Sequence, residues 1–93
     1  MITVNNGRIA ISGPMTLAVA TRLLAEGTAA MTSPEAVFDL GAVSEIDSSG
    51  LAVVFAWLRA ARSAGRKVSI TNPPANLLSL ADVYGVSDLL ALN

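Results

Sequence analysis

Apolar and polar positions alternate at the start of the chain and then change period. Ile2-Val4 and Arg8-Ile11 flank Asn5-Asn6-Gly7, so two short strands joined by a tight turn are expected first. Gly13-Pro14 is expected to break the second strand. Beyond it, Leu17, Ala20, Leu23, Leu24 and Ala25 recur at helical spacing towards Met31, with Thr16 as the cap and Gly27 weakening the last turn. Thr32-Ser33-Pro34 reads as a loop and Ala36 to Leu40 as a third strand. A second helix is expected from Ser49 to Ala64, stopped by Gly65, and a fourth strand from Lys67 to Thr71. Asn72-Pro73-Pro74 opens a third helix that runs through Tyr84 to Gly85, and Ser87-Asp88 cap a final turn from Leu89 to Leu92.

This order predicts an α/β fold: a small mixed sheet whose later strands are parallel, because each later crossover contains a helix. Right-handed crossovers advancing in one direction place the helices mainly on one face. Residues 1–93 suit one domain with one core, and no internal repeat or linker divides them.

Composition narrows the chemistry. Apolar residues make up 53% of the chain, yet the longest unbroken apolar run, Leu51 to Leu58, falls far short of the roughly 18 residues that cross a bilayer. No direct membrane insertion is expected, and the N-terminus lacks the pattern of a signal peptide, so a cytoplasmic location is expected. The absence of Cys and His removes disulfides, thiolate metal sites and the commonest general base. Six basic and seven acidic residues, net charge −1, do not make the footprint of a nucleic-acid binder. Arg59, Arg62, Arg66 and Lys67 are the one basic cluster, read as a solvated helix end.

The second helix has more apolar surface than a sheet can cover. Leu51, Val54, Phe55, Leu58 and Ala61 form the stripe expected to face the sheet, while Val53, Ala56, Trp57 and Ala60 lie elsewhere on the helix. Two readings of this surplus stand: a partner covers Val53 and Trp57, or the neighbouring helices wrap them into the core.

Ile46-Asp47-Ser48-Ser49-Gly50-Leu51 lies where the third strand hands over to that helix. Free N–H groups and the positive end of the helix dipole suit the place to a hydroxyl cap, a bound anion or a phosphoryl group. Ser48 is expected to cap the helix and to meet a partner. Asp47 can orient the loop or accept from the Ser49 N–H, and it has no nearby His or Lys to exchange a proton with. Gly50 allows a close approach rather than forming a phosphate loop, since no Walker or dinucleotide fingerprint is present. Asp47, Ser48, Ser49, Gly50, Val53 and Trp57 are therefore the candidate partner-binding residues, and no catalytic residue, metal or cofactor is expected.

The stretch Asp39-Leu40-Gly41-Ala42-Val43-Ser44-Glu45-Ile46-Asp47-Ser48-Ser49-Gly50-Leu51 resembles the signature of the STAS domain, the fold shared by anti-sigma factor antagonists and by accessory domains of transporters. Within the family, Leu51-Ala52-Val53-Val54, the Trp-bearing second helix and the stretch from Leu80 to Leu90 are most similar to the MlaB-type subunit. That resemblance implies a non-enzymatic accessory subunit that binds the cytoplasmic ATPase of an ABC transporter for phospholipid, peripheral to the inner membrane through its partner. An anti-sigma factor antagonist is the alternative, with a serine kinase and an anti-sigma factor as partners and Ser48 as the phosphorylated hydroxyl. The chain departs from the antagonists in having Ala52 where they commonly have Gly, and Gly13-Pro14-Met15-Thr16 where they have a turn of the Gly-Glu-Leu-Asp type.

Overall fold

Asn6 and Gly7 take left-handed backbone conformations, φ 51° and 84°, and fold the chain back into the expected hairpin. In the computed structural model, which describes residues 1–92, strand β1 (Ile2–Asn5) pairs antiparallel with β2 (Arg8–Met15). A 3-10 turn, Leu17–Val19, leads into α1 (Ala20–Ala30). Strand β3 (Glu35–Ile46), helix α2 (Ser48–Ser63), strand β4 (Lys67–Thr71) and helix α3 (Ala75–Val83) come next, and a 3-10 turn, Ser87–Leu89, closes the described chain. The sheet order is β1-β2-β3-β4, with the last two pairings parallel. The expected α/β class, mixed sheet and element order are all present.

Alternation along the strands sets the two faces of the sheet. Ile9, Ile11, Ala36, Phe38, Leu40 and Ile70 are buried on the helix-covered face, while Arg8 and Asp39 project from the other. On that open face the Asp39 carboxylate accepts from the Gly41 N–H at 2.9 Å, from Asn72 Nδ2 at 3.1 Å and from Arg8 at 2.9 Å, linking three neighbouring strand segments.

Several boundaries differ from expectation. Gly13-Pro14 does not end β2. The strand continues to Met15 with register shifts after Ala10 and after Gly13, the second beyond the reach of β1, where the irregular pairing accommodates the missing proline donor. Strand β3 runs on past Leu40 to Ile46, held by β2 alone once β4 has ended, so Gly41, Ala42, Ser44 and Glu45 are exposed and carry no hydrophobic signal. Thr16 makes no side-chain cap. The tighter 3-10 turn also shifts the helical phase of α1: only Leu23 and Gly27 of that helix are buried, and Leu17, Leu24 and Ala25 face outward. At the other end, the last turn forms over Ser87–Leu89 rather than after Asp88, and the Ala91 carbonyl accepts from the Ile70 N–H at 2.7 Å.

Trp57 is a core residue. It is 1% exposed, its ring stacks on Phe38 with centroids 4.6 Å apart, and its Nε1 donates to the Leu24 carbonyl at 3.3 Å. Helix α1 supplies the cover that the sheet cannot, and Val53 is buried with it at 4% exposure. Of the two readings of the α2 surplus, wrapping by a neighbouring helix holds at these two positions. Gly27 makes it possible: a Cβ there would overlap the Trp57 indole. Gly27→Ala is therefore expected to lower stability by about 1–3 kcal/mol, as overpacking does, seen as a lower urea midpoint with an unchanged slope. A variant as stable as the parent would show that the indole does not lie against α1.

Candidate functional site

Strands β2 and β3 run parallel and finish side by side, with Met15 opposite Ile46. A helical segment begins after each, at Leu17 and at Ser48, so two sets of unpaired N–H groups point towards one place. Asp47 lies between them. Its Oδ1 accepts from the Ser49 N–H at 2.9 Å and the Gly50 N–H at 3.1 Å, while its Oδ2 accepts from the Leu17 N–H at 3.1 Å. One carboxylate thus caps α2 and holds the entry to α1. Burial alone would raise the Asp47 carboxyl, but the N–H donors of Gly50, Leu17 and Ser49 outweigh it and bring the group below its ordinary value.

Gly50 is buried because the first turn of α2 lies against the ends of both strands. A Cβ there would run into the Met15 carbonyl and the Ile46 side chain. The close approach read from the sequence is real, and it is made by the chain itself. Ser48 is not the cap. It occupies the first helical position with its side chain exposed, and among the described residues its hydroxyl makes no hydrogen bond. The reason is competition: Asp47, one residue earlier, is already at the capping position with both oxygens engaged.

The six candidates consequently separate. Ser48 faces outward, Asp47 and Ser49 are half-buried, and Gly50, Val53 and Trp57 are inside the fold. A partner contact at Gly50, Val53 and Trp57 would fall on positions buried in the free domain, and Gly50 has no side chain to offer it. In their place the fold exposes a different set. Leu17 is 75% exposed, and between it and Arg59 runs a shallow groove of about 350 Å³, with Leu24, Ala52 and Ala56 on its walls and Val53 at its floor. Leu17 could not be found from periodicity, since the 3-10 turn that rotates it outward has no distinct hydrophobic signal. Among the described residues no group of three or more Asp, Glu, Cys or His could hold a metal ion. No helix of the structure is long and apolar enough to cross a membrane.

A family model described as "Mlab, STAS domain" matches residues 2–91. The chain belongs to the STAS domain family. A curated relative, the intermembrane phospholipid transport system binding protein MlaB of Haemophilus influenzae, is 37% identical over 54 residues, covering 58% of this chain and 51% of that protein. The match thus spans about half of the relative's length. Among solved structures, this STAS domain is similar to a putative anti-sigma factor antagonist from Thermotoga maritima, with TM-score 0.78, 12% identity, and 99% and 83% of the two chains covered. It is also similar to the anti-sigma factor antagonist SpoIIAA in its unphosphorylated form, with TM-score 0.67, 15% identity, and coverage of 88% and 80%. A sulfate transporter family protein from Wolinella succinogenes gives 0.72 at 18% identity over 97% and 79%. At these identities the solved structures share the fold; within the family, the likeness is to MlaB.

The geometry sets a pH dependence. The folded Asp47 and Asp39 carboxyls both lie below their ordinary values, Asp39 chiefly through the Gly41 N–H and then Asn72. Each therefore stabilises the fold above the unfolded carboxyl value of about 3.9, and that contribution disappears as pH falls through the folded value. In Asp47→Asn the amide oxygen can still accept from Ser49 and Gly50, whereas its NH2 cannot accept from Leu17. The variant should be less stable than the parent at pH 7, with a smaller further loss on going to pH 3 and faster exchange of the Leu17 amide hydrogen. An identical acid limb in denaturation curves would show that the carboxylate does not bridge the two helix starts.

Proposed function

We propose that this STAS domain is a non-enzymatic accessory subunit that docks on the cytoplasmic ATPase of an ABC transporter for phospholipid and supports its assembly or turnover. It is peripheral to the inner membrane through that partner, and residues 1–93 act as one domain. The observation that carries this reading is the likeness to the MlaB binding protein of a phospholipid transport system. The surface beside Ser48 fits it: exposed Leu17, the small walls of the groove at Ala52 and Ala56, and a hydroxyl at the rim give an apolar centre with a polar edge.

The chemistry of the junction supports a binding role over a catalytic one. Asp47 has its oxygens occupied by backbone donors and a lowered pKa, which makes it a poor proton acceptor for Ser48. The chain also has no His, the commonest general base, and no Cys. A second reading draws on one feature, the exposed, unengaged Ser48 hydroxyl directly after the signature Asp: an anti-sigma factor antagonist switched by a serine kinase.

The two readings part on co-expression with a cognate ABC transporter ATPase. The transporter reading expects a stable complex that Ser48→Glu and Leu17→Asp each weaken by at least about tenfold, the effect of roughly 1.4 kcal/mol from a charge placed in an apolar contact. Thermal midpoints should hardly change, because both side chains are exposed in the free domain. An ATPase whose assembly and rate are indifferent to this chain, together with incorporation of phosphate at Ser48 by a co-purifying kinase, would favour the antagonist instead.

A further inference from the structure

The two edges of the sheet are treated differently. Along β4 the chain covers its own edge, where Ile70 bridges to Leu92 and donates to the Ala91 carbonyl. Along β1 nothing among the described residues does so. The Ser12 N–H donates to the Met1 carbonyl at 2.8 Å, and the alternation of an antiparallel ladder then turns the backbone groups of Thr3 and Asn5 towards β2. The N–H and C=O groups of Ile2 and Val4 are left pointing outward. The usual protections of such an edge are missing: β1 has no charged residue, no proline and no bulge.

Beside this edge lies a groove of about 720 Å³ between β1 and α1. Ile2, Val4, Leu23 and Ala30 line it, Val4 is 49% exposed, and Arg22 and Glu26 stand on its rim one helical turn apart.

We propose that this edge is a homodimer surface, in which β1 of a second copy pairs antiparallel with β1 about a two-fold axis through Thr3. In that register Ile2 faces Val4 of the second copy and Val4 faces its Ile2, so the four free N–H groups and four free C=O groups of the two chains become four hydrogen bonds. Ile2 and Val4 project to the helix-covered side, opposite Ile11 and Ile9 within the sheet, so the copies bring matching apolar side chains to each other's groove and form one continuous eight-stranded sheet. The charges favour a second copy over an unrelated strand. A rim with one Arg and one Glu a turn apart on the same helix is self-complementary under a two-fold axis, which sets Arg22 of one copy against Glu26 of the other. The surface involves neither Ser48 nor α2, so the dimer is independent of the ATPase reading.

Sedimentation of the full chain across a concentration series tests it. The parent mass is expected to rise with concentration from 9.5 kDa towards twice that value. Val4→Lys should hold the mass at one chain at every concentration while the circular dichroism spectrum stays that of the parent and the thermal midpoint matches that of the parent at concentrations where it is a single chain. Arg22→Glu, on the exposed side of α1, should weaken the dimer, and the double exchange Arg22→Glu/Glu26→Arg should restore it. A parent that remains at 9.5 kDa throughout would overturn the proposal. So would a dimer that survives Val4→Lys, or one broken by Ser48→Glu. A parent that is monomeric alone but loses a protein partner on Val4→Lys would assign the edge to a different strand and reject the two-copy form.

Discussion

The carboxylate of Asp47 joins the fold to its candidate surface. Two parallel strands deliver two helical segments to the same end of the sheet, and each segment begins with donors that water or protein must satisfy. Asp47 serves both from a single side chain, accepting from Ser49 and Gly50 with one oxygen and from Leu17 with the other. Because that carboxylate is committed to the backbone, it leaves Ser48 uncapped at the first helical position and fixes Leu17 beside it. The features that a partner could touch are therefore consequences of a structural bond.

Above this clamp, α2 is held on two sides. Phe38 of the sheet stacks on Trp57, and α1 closes over the indole at Gly27, where a Cβ would overlap the ring. Gly50 plays the corresponding part at the start of the helix, against Met15 and Ile46. These contacts explain how so apolar a helix fits a domain of this size: seven of its residues are buried, Phe55 is half-buried, and the remaining exposure falls on small side chains such as Ala52 and on the basic end at Arg59 and Arg62. A surface of small apolar groups with one prominent leucine suits close docking better than it suits binding of a small polar ligand.

The element order, the mixed sheet and the importance of the Asp47 to Gly50 junction are legible in the sequence, because hydrophobic period, Gly and Pro punctuation and the family signature all act locally. The features that are not legible depend on residues far apart in the chain. Nothing near Trp57 indicates that a glycine thirty positions earlier receives its ring. The second half of β3 reads as loop because its exposed Ser44 and Glu45 carry no hydrophobic alternation; pairing with β2 defines it. Ser48 reads as the cap because hydroxyl and carboxyl side chains compete for the same donors, and only the backbone path decides which one reaches them. Leu17 moves from packed to exposed through one 3-10 turn, which shifts helical phase without changing composition.

Docking of the proposed ATPase partner at the Leu17 groove is the central claim, and methyl-detected NMR reads it directly, with that ATPase titrated into the chain labelled at Ala, Leu and Val methyls. The signals of Leu17, Leu24, Ala52 and Ala56 should shift or broaden first, while those of Leu78, Val83 and Leu89, exposed on and after α3, stay in place. Shifts confined to the α3 side, or none at all at a concentration that supports complex formation, would contradict docking at the Leu17 groove.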